Sequence, residues 1–219
     1  MRTLSPGVFT EGPTDVDFLS PVVLRLATEL IQSRGHRPAQ VAGPVSFPGR
    51  PATKTFRDTI DLHARSLDLV VVHTDGGGNP SRAVRERIEP WSASVDDILD
   101  GRLRVFVPAI PNRATEAWML ADLEALQDVL GTTKNRRELG LPAHAREVEQ
   151  ITAPKAMLGS VHESAVGSRQ ARRVGLRPLY LALGQEVSLE NLRHVPSFHR
   201  FATEFEAALR RLGFLPGRP

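Results

Sequence analysis

The run Leu69-Val70-Val71-Val72 constrains the fold more than any other stretch of the chain. It is apolar at every position and β-branched at three of four, so both of its faces must be buried. Strands of that kind lie inside parallel sheets covered by helices on both sides; a sheet with one wet face would need a polar residue at every second position. A parallel sheet also needs a crossover, usually a helix, between consecutive strands. The chain supplies these. Phe18, Leu19, Val22, Val23, Leu26, Ala27, Leu30 and Ile31 recur at helical spacing and stop near Arg34-Gly35, with Pro21 placed in the first turns, where proline is tolerated. Residues 53–67 carry Phe56, Ile60 and Ala64 on one side, residues 81–89 form a polar helix, and Thr115 to Leu130 forms a helix ending at Gly131.

Three more strands fall between these helices. Val8 to Thr10 is the first. Gln40 to Phe47 is interrupted by Gly43-Pro44, which assigns it to an edge or a bulge. Leu103 to Ile110 is the last. The order β-α-β-α-β-α-β-α predicts an α/β fold, a four-stranded parallel sheet with helices on both faces, over residues 1–130. Beyond 131 there is no further convincing strand. Helical patterns at 153–165, 177–184, 188–194 and 197–212 predict a helical extension over 131–219, packed on the sheet domain as one unit.

With no cysteine, disulfides, zinc-thiolate sites and thiol nucleophiles are excluded. No apolar run reaches the roughly 18–20 residues of a membrane span, and the N-terminus lacks the pattern of a signal peptide, so a cytoplasmic protein is expected. Charge is uneven: residues 1–133 carry 14 basic and 17 acidic side chains, the remainder 14 and 8. The basic half suits an anionic partner, with a solvated surface as the plain alternative.

The chemistry concentrates at two strand ends. Val8-Phe9-Thr10-Glu11-Gly12-Pro13-Thr14-Asp15 reads as strand, acid, turn and helix start; Leu69 to Val72 runs into His73-Thr74-Asp75 and three glycines. If the two strands are adjacent and parallel, Glu11 and Asp75 meet at the carboxyl rim, where open α/β sheets carry their sites. Two carboxylates there suit Mg²⁺ or Mn²⁺. Asp15 is either a helix-start acid or a third member of the site. His73 reads first as a hydrogen-bonded histidine at a strand end, with ligand or acid/base duty as the alternative. Arg113 and Glu116 straddle another strand-to-helix junction on the same rim, either as an ion pair or as a phosphate contact and a further acid. Trp118 and Leu120 read as core. Gly76-Gly77-Gly78 has neither the lysine of a phosphate-binding P-loop nor the spacing of a dinucleotide fingerprint; it allows a sharp turn or close approach to a phosphate. Lys155 and the cluster Arg169, Arg172, Arg173 and Arg177 are candidate phosphate contacts, and the scarcity of aromatic residues argues for contact with a nucleic-acid backbone without sequence readout.

These residues resemble the TOPRIM domain of topoisomerases, bacterial primases and OLD-type nucleases. Glu11-Gly12-Pro13-Thr14-Asp15 looks like its glutamate motif, and Asp75 like the first acid of its Asp-x-Asp pair. A narrower resemblance, over nearly the whole chain, is to a bacterial TOPRIM-like family of unknown function often encoded beside an ATPase. It is carried by Ile110-Pro111-Asn112-Arg113-Ala114-Thr115-Glu116-Ala117-Trp118-Met119-Leu120-Ala121-Asp122, by Ala153-Pro154-Lys155-Ala156-Met157-Leu158, and by Leu189 to Arg193 with Ser197 to Phe201. The resemblance implies a Mg-dependent (or Mn-dependent) nuclease, with Glu11 as base or metal ligand and metal held by Glu11, Asp75, Glu116 and Asp15. Arg113 would join the catalytic set, and Lys155, Arg169, Arg172 and Arg173 would meet nucleic acid. It further implies an ATPase protein partner in antiphage defence, and leaves homo-oligomerisation open. One departure matters: the second acid of the pair would fall at 77, which is Gly77. Glu116 or Asn79 would then have to complete the site; otherwise the chain is a scaffold or regulatory subunit that docks on an ATPase.

Overall fold

The computed structural model describes residues 2–49, 53–97 and 105–217. The chain enters through strands β1 (Arg2–Leu4) and β2 (Pro6–Thr10) and turns at Gly12 into the long helix α1 (Pro13–Arg34). It returns through β3 (Ala39–Val41) and β4 (Val45–Pro48), then runs through α2 (Thr53–His63) into β5 (Leu69–His73). A helical stretch follows, made of α3 (Pro80–Ala83), a π-helical turn over Val84–Ile88 and α4 (Glu89–Ala93), before β6 (Val105–Ala109). β4, β2, β5 and β6 lie side by side in that order as one parallel sheet, and β1 pairs with β3, also in parallel.

β5 is buried along its whole length, and its side chains divide between two apolar clusters. Leu69 and Val71 pack with Phe18, Val22 and Leu26 of α1, whereas Val70 and Val72 pack with Phe56, Ile60 and Trp91 from α2 and α4. Thus the run without alternation is a strand with helices on both faces. The order β4-β2-β5-β6 also contains a reversal. The chain leaves β2 in one direction through α1, then crosses back past β2 through α2 on the other face to reach β5. The carboxyl ends of β2 and β5 therefore flank the switch point, where open α/β sheets leave a crevice.

The structure differs from the sequence expectation at several places. The segment 40–47 is two strands. Leu4 pairs with Val41 but Gly7 with Val45, so the β3–β4 side holds one extra residue, a bulge at the Gly43-Pro44 interruption, and β4 is an edge strand. The helix expected over 115–130 is broken into α5 (Glu116–Met119) and α6 (Leu123–Leu130). Asp122 breaks it: its buried carboxylate accepts from the amides of Glu124 (3.2 Å), Ala125 (3.4 Å) and Ser188 (2.7 Å). The polar helix is longer than 81–89, and the expected positions 103 and 104 of the last strand lie outside the described residues. Pro21 is the ninth residue of α1, an interior position rather than a first-turn one.

After α6 come a 3₁₀ turn (Ala145–Gln150), α7 (Pro154–Val166), α8 (Ser168–Val174), α9 (Arg177–Glu186), α10 (Leu189–Arg193) and α11 (Pro196–Arg211). α8 has no sequence-level counterpart in the expectation, because its seven residues have too few apolar positions to show a period. Phe198, Phe201 and Phe205 of α11 share one cluster with Val8, Val71 and Val107 of the sheet, so the C-terminal helices cover the same face as α1.

α9 crosses α1 at the interior proline. A Cβ on Gly184 would lie 2.6 Å from the Phe18 carbonyl oxygen and 2.7 Å from the Pro21 ring, and Arg25 donates across the crossing to the Gly184 carbonyl at 3.1 Å. Only a glycine permits this approach. Gly184→Ala is expected to destabilise the protein by about 1–3 kcal/mol, the usual cost of overpacking, as read from the denaturant midpoint.

Candidate functional site

Register sets the geometry. Phe9 pairs with Val72, so Glu11, two residues on, stands across from Thr74 at the same rim. Thr74 Oγ1 donates to Glu11 Oε1 at 2.5 Å, and Arg87 Nη1 reaches the same oxygen at 2.6 Å. Arg87 also donates to Thr74 Oγ1 and approaches the Asp75 carbonyl oxygen at 3.4 Å.

Asp75 is the centre of the cluster. Its side chain is 44% exposed overall, yet Oδ1 is shut off from solvent and has no hydrogen-bond partner among the described residues. Loss of water pushes its pKa up to about 6; the charges of Asp15, Glu116 and Glu11 add to the rise, and His73 opposes it. Three carboxylates, one just after β2 and two near the starts of α1 and α5, thus act on Asp75 at the switch point. Asp15 makes no capping bond at the start of α1; its Oδ1 lies 3.7 Å from His73 Nε2, and Asp75 Oδ1 lies 3.6 Å from the same atom. His73 is fully buried. Its Nδ1 faces the Ala109 carbonyl at 2.8 Å and must donate there, since a carbonyl only accepts; Nε2 meets Thr115 Oγ1 at 3.1 Å. The strand-end reading of His73 therefore holds, and the same anchoring aims its ring at two acids.

Glu116 sits at the start of α5, 6% exposed, and accepts from the Tyr180 hydroxyl of α9. Burial first, then the bond to Glu116, holds the Tyr180 phenol well above its usual range, so it stays a donor. Arg113 does not pair with Glu116. Its guanidinium lies against Gly78, 3.4–3.7 Å from where a Cβ would be, and its Nε is buried without a hydrogen-bond partner among the described residues. Asn79 is committed elsewhere: its side chain caps α3 by accepting from the Arg82 amide at 3.0 Å. Of the two groups considered to stand in for the acid lacking at position 77, Glu116 is the one that reaches the cluster.

The glycine loop is not a phosphate cradle. The amides of Gly76, Gly77 and Gly78 are spent on the carbonyls of Pro111 (3.2 Å), Arg113 (3.1 Å) and Asn112 (2.7 Å). A Cβ on Gly76 would lie 2.3 Å from the Pro111 oxygen. The close approach those glycines permit is to a neighbouring backbone.

Lys155 is exposed near the start of α7, and Arg169, Arg172 and Arg173 are exposed on α8. Among the described residues, no hydrogen bond or ion pair joins them to the acids. Arg177 pairs with Asp17 of α1 at 3.3 Å. Trp118 and Leu120 are fully buried core.

A model of one protein family matches residues 10–206, from the end of β2 to the middle of α11. The chain belongs to the family described as a domain of unknown function, DUF4276. No curated protein and no solved structure matches it. The DUF4276 match takes in every acid of the cluster together with Arg87 and Tyr180. Those two residues were not among the sequence candidates: Arg87 lies in a polar, arginine-rich helix, and Tyr180 in a short apolar one.

The donor set fits a hard cation in kind: four carboxylates and a hydroxyl, with one carboxylate oxygen buried and unpartnered. Among the described residues, however, no group of three or more histidine, aspartate or glutamate side chains stands ready to hold a metal ion. Two of the acids are occupied, Glu11 by Arg87 and Glu116 by Tyr180. Likewise, among the described residues no helix is long and apolar enough to cross a membrane.

The burial of Asp75 among acidic neighbours has a measurable consequence. The folded protein holds the Asp75 proton more tightly than the unfolded chain, where an aspartate titrates near 3.8. The contribution of Asp75 to folding stability should therefore fall as pH rises from about 4 to about 6. In chelator, Asp75→Asn is expected to melt above the wild type at pH 7, and the gap should close as pH drops toward 4.

Proposed function

We propose that this chain is a divalent-cation-dependent phosphodiesterase acting on a nucleic-acid backbone, with its site at the carboxyl ends of β2 and β5. One observation carries the reading: the charges of Asp15, Glu116 and Glu11 all act on Asp75 at the switch point, and among the described residues Asp75 Oδ1 is buried without a hydrogen-bond partner. Asp75 and Asp15 would hold Mg²⁺ or Mn²⁺, with Glu11 and Glu116 joining once released from Arg87 and Tyr180. The cation would supply charge neutralisation at the scissile phosphate. Arg113, its guanidinium lying over Gly78, would receive a phosphate oxygen. His73, fixed by Ala109 and Thr115, would hold Asp15 and Asp75 apart from each other's charge. Lys155, Arg169, Arg172 and Arg173 would follow the strand further out as exposed backbone contacts, each lost gradually with salt. The ATPase partner and the defence role rest on the family resemblance.

A second reading has its own support. Arg87 and Tyr180 already engage two of the four acids, the arrangement of a scaffold that needs no cation and acts by docking on an ATPase.

The two separate cleanly by titrating Mg²⁺ and Mn²⁺ into the full chain by calorimetry, with supercoiled plasmid and single-stranded DNA and RNA incubated in parallel. The nuclease reading expects saturable binding lost in Asp75→Ala, and metal-dependent nicking lost with it. It further expects Gly77→Asp to tighten cation binding. Position 77 has φ +58° with nothing within 4 Å of a Cβ, and aspartate is one of the few residues that visits that conformation. No binding at millimolar metal by the wild type and by Gly77→Asp would leave the scaffold.

A further inference from the structure

Arg87 occupies an unusual place. Its Nη1 is surrounded by three oxygens drawn from the two strand ends: the Glu11 carboxylate at 2.6 Å, the Thr74 hydroxyl, and the Asp75 main-chain carbonyl at 3.4 Å. Carboxylate, hydroxyl and carbonyl are the donors that hard cations take. The arginine comes from the π-helical turn Val84–Ile88, a helix variant found at functional sites, and it is 45% exposed. Its neighbours Arg82 and Glu86 are satisfied by each other at 2.9 Å, so Arg87 alone of this turn is committed to the acids among the described residues.

We propose that Arg87 is a displaceable internal counter-ion: its guanidinium fills a cation position between β2 and β5, and pairing of Arg87 with Glu11 and binding of a divalent cation exclude one another. This rests on the reading that the acid cluster binds such a cation. The exchange is chemically reasonable in both directions. A solvent-exposed ion pair holds weakly, so a divalent ion can displace it, while a guanidinium left in contact with the same oxygens would repel the incoming ion. With the cation absent, Arg87 keeps Glu11 neutralised and the crowded rim folded. With the cation bound, Arg87 is released from Glu11 and its guanidinium is free to face an anionic substrate. Cation binding then precedes substrate binding, and the site changes from self-neutralised to phosphate-accepting.

The test is calorimetric titration of Mg²⁺ and Mn²⁺, at fixed ionic strength, into full-length wild type, Arg87→Gln, Arg87→Lys and Asp75→Asn. The expected result is loss of binding in Asp75→Asn, affinity raised at least about fivefold in Arg87→Gln, and little gain in Arg87→Lys, which keeps the charge. As a readout independent of that variant's folding, the Nε–Hε resonance of Arg87 in wild-type protein labelled with ¹⁵N-arginine should move as cation saturates. An affinity in Arg87→Gln equal to or below the wild type, or an Arg87 resonance that stays put at saturation, overturns the counter-ion while Asp75-dependent binding keeps the cation site. Absence of saturable binding in both wild type and Arg87→Gln overturns both.

Discussion

The seven residues from Glu116 to Asp122 hold the two parts of this chain together, and the site depends on them. Three polar side chains in that short span reach into the C-terminal helices. Glu116 accepts from Tyr180, Trp118 donates its indole N–H to Ser197 at 2.7 Å, and Asp122 accepts the Ser188 amide at 2.7 Å. Around them Trp118 packs edge-on against Phe198, with ring centroids 5.1 Å apart, and stacks on Phe201. Each polar group is buried, so leaving any one unpaired would cost the full desolvation of that group. The segment breaks as a helix at Leu120–Asp122 because these bonds outweigh the turn of regular backbone lost there. This part of the family resemblance is thus mainly a structural clasp, with Glu116 as its link to the acid cluster.

The acids themselves are a case of stability given up locally. Neighbouring parallel strands end in Glu11 and in Thr74-Asp75, and helix starts add Asp15 and Glu116; nothing in a Rossmann-like sheet requires this. The cluster is tolerated because each acid has something to lean on: Arg87 and Thr74 for Glu11, Tyr180 for Glu116, and the anchored His73 ring for Asp15 and Asp75. Among the described residues, Asp75 Oδ1 is the buried oxygen of the cluster that has no hydrogen-bond partner. A fold that concentrates charge this way, then leaves one oxygen unsatisfied, has the strained polar character typical of functional sites.

The sheet was legible in the sequence because its signals are local. A continuous β-branched run admits few environments, and the amphipathic period of α1 names its partners residue by residue. Glu11 and Asp75 were legible for the same reason, each being the first acid after a strand. What was hidden is non-local. Arg87 sits on a π-turn whose residues look like any solvated helix. Tyr180 belongs to an apolar stripe that reads as core, which it also is. The break at Asp122 depends on an amide 66 residues away, and no window of the sequence contains both partners. The glycine triplet was half legible: it marked a sharp turn, which Gly77 and Gly78 make with positive φ, but glycine does not say what comes close to the backbone, and here it is the loop 111–113.

That pairing of loops has a mechanical consequence. With three consecutive amides of 76–78 fastened to three consecutive carbonyls of 111–113, the loop bearing Asp75 and the loop bearing Arg113 form a single rigid lip. Neither can swing over a bound ligand without carrying the other. Opening and closing at this rim is left to side-chain rotation, on the timescale of rotamer hops rather than of domain closure.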